Sequence, residues 1–184
     1  MKLLLLDKET TGLEEAGHVP IEVAARIIEP GKPPQVLGRI HSLIKPLLGA
    51  MADADSFALN MHKESGLLEA VTADGVPHVD EVEKALMAFI TDFVPDEKEK
   101  LILMGNSIHF DRRFIKKYMP GLHKRLHYHM LDVTSVSIFM QLWGVEEPWG
   151  DWEKKKAHTA EADLDETWHE AEIYARSLGL LDDE

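Results

Sequence analysis

Four consecutive leucines, Leu3 to Leu6, run directly into Asp7-Lys8-Glu9-Thr10-Thr11-Gly12-Leu13. A short apolar run closed by a turn signal reads as a buried strand. Side chains alternate between the two faces of a strand, so Asp7 and Glu9 aim at one side. Two carboxylates converging from a buried strand are costly unless a cation meets them. An all-oxygen ligand set suits a hard divalent cation such as Mg²⁺ or Mn²⁺. Gly12 lets the backbone turn sharply and approach a ligand closely. Alone, two acids at this spacing also fit a solvated strand end before a turn. A catalytic reading needs further acids and a group that can activate water.

The rest of the chain frames that strand. Ile21 to Glu29 is rich in Ile and Val and reads as a second strand, broken by Pro30, Gly31, Pro33 and Pro34. Gln35 to Lys45 reads as a third, closed by Pro46. Short connections between the three predict an antiparallel meander. Short helices are expected over 53–63 and 66–72, separated at Ser65-Gly66-Leu67. Val82, Leu86, Phe89 and Phe93 recur at helical spacing within His78 to Val94. Leu101 to Met104 reads as a fourth strand. A helix over Phe110 to Tyr118 is expected to stop at Pro120-Gly121. Tyr128 to Val133 reads as a fifth strand, Thr134 to Trp143 as a helix and 148–156 as a loop. Thr159 to Leu178 is the longest helix, with Leu164, Trp168, Ala171, Ala175 and Leu178 on one face. This order predicts an α/β fold. It is a mixed five-stranded sheet flanked by helices, a three-strand antiparallel meander first and parallel strands added through helical crossovers. With no repeat, low-complexity tract or linker, one domain over residues 1–184 is expected.

Charge narrows the function. A formal net charge of −13 argues against tracking long nucleic acid through a basic groove. It is compatible with a short substrate held by metal ions and a few local contacts. The chain has no cysteine, which excludes disulfides, thiolate metal sites and cysteine nucleophiles, and fits a reducing compartment. No signal peptide or long apolar run is present, so a soluble cytoplasmic protein without membrane contact is expected.

Further acids follow. Asp111 comes shortly after the fourth strand, where α/β proteins place ligands beyond strand carboxyl ends. It could equally serve only the dipole of its helix. Asp163 lies one position before Leu164, at the edge of the apolar face of the last helix, and a carboxylate there should be partnered. His158, five residues earlier, precedes the expected helix start, with Thr159 as a possible cap. A histidine beside an acidic metal site can take a proton from water. It is also one of ten histidines, and a surface position is the plain alternative.

Asp7-Lys8-Glu9-Thr10-Thr11-Gly12-Leu13, then Asp111, then His158 with Asp163 resembles the DEDD exonuclease superfamily in its histidine-bearing branch. Within it, Gly105-Asn106-Ser107-Ile108 through Asp111-Arg112-Arg113-Phe114, Tyr118-Met119-Pro120, His127-Tyr128, Leu131-Asp132-Val133 and His62-Lys63-Glu64-Ser65-Gly66-Leu67 are similar to oligoribonucleases. The resemblance spans nearly the whole chain. It implies a ribonuclease H-like fold and 3′-to-5′ removal of nucleotides from very short RNAs, down to dinucleotides. It implies that Asp7, Glu9, Asp111 and Asp163 hold two divalent ions, Mg²⁺ or Mn²⁺, with His158 as general base, in a two-metal hydrolysis. It also implies a homodimer.

The resemblance carries substrate contacts as well. Thr10 and His62 fall within matching motifs. Leu13 matches a wedge between two bases, and Phe57 an aromatic that stacks on a base, a contact of roughly 1–3 kcal/mol; Phe57 could instead be a core residue. Ser107, Thr134 and Ser135 match hydroxyls that cap the 5′ phosphate. Tyr128 matches a tyrosine offered across the dimer interface. Two positions depart from the pattern: His129 stands where an arginine is usual, and Phe57 where a tryptophan is more usual. A histidine makes one titratable contact where arginine makes a permanent fork. Both departures bear on dinucleotide selectivity and leave the metal chemistry intact. A broader exonuclease on single-stranded DNA or longer RNA is the second reading, and a non-catalytic nucleotide-binding scaffold the third.

Overall fold

In the computed structural model, which describes residues 1–47, 49–145 and 158–182, the leucine run lies at the centre of a sheet. The strands are β1 (Leu3–Thr10), β2 (Pro20–Glu29), β3 (Gln35–Leu43), β4 (Leu101–Gly105) and β5 (Leu126–Asp132). The helices are α1 (Ser56–Glu64), α2 (Leu67–Ala70), α3 (Val79–Phe93), α4 (His109–Tyr118), α5 (Pro120–Arg125), α6 (Val133–Leu142) and α7 (Ala160–Ser177). Strand order is β3-β2-β1-β4-β5. β1, β2 and β3 pair antiparallel, and β4 and β5 are added parallel. The expected architecture is therefore present.

β1 does not stop at Leu6. It continues through both acids because Asp7, Lys8 and Glu9 pair with Ala24, Val23 and Glu22 of β2. The pleat then sorts its side chains. Leu4 and Leu6 join Val23, Ala25 and Ile27 under α3, α4 and α5, against Leu86, Ile90, Ile115 and Leu122. Leu5 joins Ala24, Ile28 and Met104 under α6 and α7, against Val133, Met140, Leu164 and Tyr174. Continuing the alternation sends Lys8 toward α4, and Asp7 and Glu9 toward α7.

Two local expectations are corrected. Pro120-Gly121 does not end helical structure; it opens α5. Proline at a first helical position forgoes an N–H that has no intrahelical partner, and Glu83 Oε1 accepts from the N–H groups of Gly121 and Leu122 at 2.6 and 3.0 Å. The inner face of α7 is also turned in part from the expected one. Leu164, Trp168 and Ala171 pack into the core as expected, but Ala160, Thr167, Glu170 and Tyr174 are buried beside them and Leu178 is exposed. The polar members of that stripe are tolerated because they bond one another and β4's end: Tyr174 donates to Glu170, and Asn106 donates to Glu170 at 2.9 Å and Thr167 at 3.1 Å. The loop expected over 148–156, with Trp149 and Trp152, lies outside the described residues. Among the described residues no helix is long and apolar enough to cross a membrane.

Candidate active site

Asp7 and Glu9 leave β1 on the α7 side, and α7 brings Asp163 to them in its first turn. One carboxylate oxygen from each of Asp7, Glu9 and Asp163 lies within 4.8 Å of the others. β2 fixes the approach of α7. Glu22 Oε2 accepts from the Ala160 N–H at 3.0 Å, doing what the Thr159 side chain does not. Arg26 donates to Asp165 at 2.5 Å. Glu22 also stands opposite Glu9 in the β1–β2 register.

The triad is overcharged. Burial, reinforced by Asp111, Glu9 and Asp163, pushes the Asp7 carboxyl well above the usual carboxylate range. Burial, followed by Asp163 and Glu22, raises Glu9 from 4.5 to about 8, with Asp163 within hydrogen-bonding reach. Asp7 and Glu9 both resist ionisation beside a third converging oxygen from Asp163, an arrangement that suits a cation. Hard oxygen donors on rigid elements fit a divalent metal ion.

Asp111 enters from the first turn of α4 and is buried. It stands close enough to raise Asp7 and Glu9, yet its Oδ1 accepts from Lys8 Nζ at 3.0 Å. Burial still lifts its carboxyl above the usual range, against the lowering influence of Lys8. Asp111 is thus beside the triad but tied to the opposite face of β1. His158 is half-buried, two residues before α7, and outside the triad. Its φ of 52° is a left-handed conformation uncommon for a residue with a side chain.

The remaining candidates fall into four groups. Leu13 and Phe57 are 71% and 77% exposed, so the core alternative for Phe57 is excluded. Both sit near the end of β1. Asp55 caps α1, accepting from the Phe57 N–H at 2.8 Å, while its own N–H donates to the Thr11 carbonyl at 2.8 Å. Gly12, at φ 155°, makes the turn, where a Cβ would fall 2.7 Å from the His18 ring. Thr10 and His62 are buried. Thr10 Oγ1 donates to the Gly12 carbonyl at 2.8 Å. His62 Nε2 donates to the Thr10 carbonyl at 2.8 Å, leaving Nδ1 facing Glu9 at 3.9 Å. His62 thereby braces the strand end from behind.

Ser107 and Thr134 meet at the ends of β4 and β5. The Ser107 N–H donates to Asp132 at 3.1 Å and to Thr134 Oγ1 at 3.2 Å, and Thr134 donates to Asn106 at 3.1 Å. Ser107, at φ 47°, and Ser135 are exposed. Tyr128 and His129 lie on β5, the sheet edge, with ring centroids 4.0 Å apart and both exposed. Sequence reasoning missed Lys8, Glu22 and Asn106. The signal for the first two was present: a lysine between the paired acids, and a glutamate in the apolar strand Ile21–Ile28.

A mixed sheet in this order, with acids from its central strand meeting the first turn of the last helix, defines a nuclease of the ribonuclease H-like class. A solved structure of the E. coli ExoI–ssDNA complex, in its zinc-bound form, shares this fold at a TM-score of 0.67, with 15% identity over 97% of this chain and 41% of that one. The exonuclease family RNase_T matches residues 4–171. The oligoribonuclease of Corynebacterium diphtheriae is 36% identical over 98% of this chain and 85% of its own length. That of Francisella tularensis subsp. tularensis is 33% identical over 96% and 95%. A probable oligoribonuclease of Schizosaccharomyces pombe is 34% identical over 94% and 66%. The chain belongs to the RNase_T exonucleases and, within them, to the oligoribonuclease family.

Proposed function

We propose that the chain folds as one exonuclease domain and hydrolyses short oligoribonucleotides from the 3′ end, down to dinucleotides, giving 5′-mononucleotides. The observation that carries this reading is the convergence of Asp7, Glu9 and Asp163 within 4.8 Å, in a chain related over almost its whole length to oligoribonucleases. Asp7, Glu9, Asp163 and the adjacent Asp111 would hold two divalent ions, Mg²⁺ or Mn²⁺. When bound, such ions polarise the phosphodiester and lower the pKa of the attacking water. His158 takes the proton at a ring nitrogen as general base, and it lies just ahead of α7, the helix whose first turn carries Asp163.

Leu13 and Phe57, exposed near the turn after β1, receive the bases. Thr10 and His62 act on substrate indirectly by fixing that turn. Ser107, Thr134 and Ser135 hold the 5′ phosphate. Tyr128 and His129 serve a second subunit's site in a homodimer. Support for the dimer is the place of β5 at the sheet edge among the described residues, with exposed Tyr128 and Met130, continued by Ile138, Phe139 and Leu142 on α6 and by Trp143 just past it.

The test is a length series of 5′-labelled RNAs of two, five and twenty nucleotides, with wild type and Asp7→Ala. Stepwise shortening from the 3′ end, fastest on the shortest substrate and absent in Asp7→Ala, supports the reading. Faster cleavage of the longest RNA or of single-stranded DNA replaces it with the broader exonuclease.

A further inference from the structure

Lys8 lies between the two strand acids in sequence and on the opposite face of β1 in space. Its side chain is 2% exposed, and that of Asp111 is 5% exposed. Lys8 Nζ donates to Asp111 Oδ1 at 3.0 Å and stands 4.4 and 4.5 Å from the ring centroids of Phe110 and Phe114. A carboxylate and two aromatic faces from one helix therefore enclose this ammonium. It cannot swing into water without leaving all three. Asp111 is the acid that the four-carboxylate arrangement needs for a second ion, and it is the acid that stays out of the compact triad.

We infer that the Lys8 ammonium is a resident cation of the acidic centre that holds Asp111 and competes with a divalent ion for it. The inference rests on the metal-dependent reading above and deepens it. The triad is the tight site for one divalent ion. A second ion must draw Asp111 away from Lys8 and then tolerate a positive charge on the far side of β1, so it binds weakly. Occupancy of the second position becomes the variable step in assembling the site, and it depends on what else, such as a substrate phosphate, shares the ion.

Calorimetric titration of Mn²⁺ into chelator-stripped protein tests this, using wild type, Lys8→Met, Asp111→Asn and the double variant. Methionine keeps an unbranched stem against Phe110 and Phe114 and removes the charge. The expected result is one tight ion in wild type and a second at least about tenfold weaker, about 1.4 kcal/mol. Lys8→Met tightens the second ion by about tenfold or more and leaves the first nearly unchanged, and adding Asp111→Asn removes the gain. Superimposable isotherms for wild type and Lys8→Met, or two equally tight ions in wild type, overturn the inference. Should Lys8→Met not fold, Lys8→Gln takes its place and is read in the same way. Absence of Mn²⁺ binding in all four proteins overturns the metal reading and this inference together. That outcome is distinguishable from unchanged isotherms, which remove only the role of Lys8.

Discussion

The two faces of β1 solve the same problem in opposite ways. On the α4 side, Lys8 and Asp111 neutralise each other at 3.0 Å among aromatic rings. On the α7 side, carboxylate oxygens of Asp7, Glu9 and Asp163 converge, with Glu22 opposite Glu9 and raising it further. One residue of pleat separates an ion pair from a cluster of like groups. The ion pair carries its own counter-charge. The cluster holds Asp7 and Glu9 above the usual carboxylate range, a strain that a bound cation would relieve, and that is the face on which chemistry can occur. Function here is a local refusal to optimise stability.

The largest effect should come from breaking the acidic cluster. On the proposed reading of Asp7 as a metal ligand, Asp7→Asn costs several kcal/mol of phosphodiester hydrolysis, so the rate on a dinucleotide should fall by about 10³-fold or more. The same substitution relieves repulsion in metal-free protein. Its melting temperature in chelator should rise by about 2–4 °C, the equivalent of about 1 kcal/mol for a chain of this size. A fall in melting temperature would mean that the carboxylates are not in conflict. The matching substitution on the other face should have the opposite sign. Lys8→Met strands a buried carboxylate and should destabilise metal-free protein by about 3 kcal/mol, read from denaturant unfolding. If both variants shift stability the same way, the contrast between the faces is wrong.

Titration sharpens the contrast next. Glu9 is raised from 4.5 to about 8, chiefly by burial. Between those values the folded chain retains a proton that the unfolded chain has lost, so stability falls as pH rises. The contribution is fully present below about 4.5 and gone above about 8. Chelator-treated protein should lose up to about 3 kcal/mol between pH 5 and pH 8. Saturating Mn²⁺ should flatten or reverse the slope, because a metal ion takes the place of the proton. A flat profile in chelator would show that Glu9 ionises normally.

Much of this contrast can be read in the sequence, and the part that cannot has a definite cause. Strand periodicity put Asp7 and Glu9 on one face, and helical spacing put Asp163 at the edge of another apolar face; the sheet then joined them. The antiparallel meander and the later parallel strands followed from short connections first and helical crossovers later, while the strand order β3-β2-β1-β4-β5 came from the structure. Lys8 was visible as a residue, yet its partner is 103 positions away, and pattern within a strand says nothing about pairing at that distance. The inner face of α7 was read only in part, through Leu164, Trp168 and Ala171, because apolarity was the guide, while Thr167 and Glu170 are buried through hydrogen bonds that only the tertiary structure supplies. Pro120 was read as a stop, when proline marks helix starts as readily as ends.

The smallest effect probes how the acidic cluster is tuned. Glu22 does three things at once. Its Oε2 accepts from the Ala160 N–H and so anchors the start of α7, its Oε1 meets His41 Nε2 at 2.7 Å, and its charge raises Glu9. Glu22→Gln removes the charge and keeps an acceptor for Ala160, while its amide N–H turns to the partly exposed His41. An amide oxygen still accepts from Ala160, so α7 and Asp163 should stay in place. The lost charge gives up a favourable interaction with the helix N-terminus, about 0.3–1 kcal/mol, and relieves repulsion at Glu9 of similar size. Net stability near neutral pH should therefore change by less than about 1 kcal/mol. The pH dependence in chelator should still become shallower, because Glu9 ionises more readily. Glu22→Ala, which loses the acceptor as well, should be the more destabilised variant and should weaken Mn²⁺ binding by letting α7 drift. If Gln and Ala behave alike, the hydrogen bond to Ala160 contributes nothing, and the site is positioned by the packing of Leu164 and Tyr174 instead.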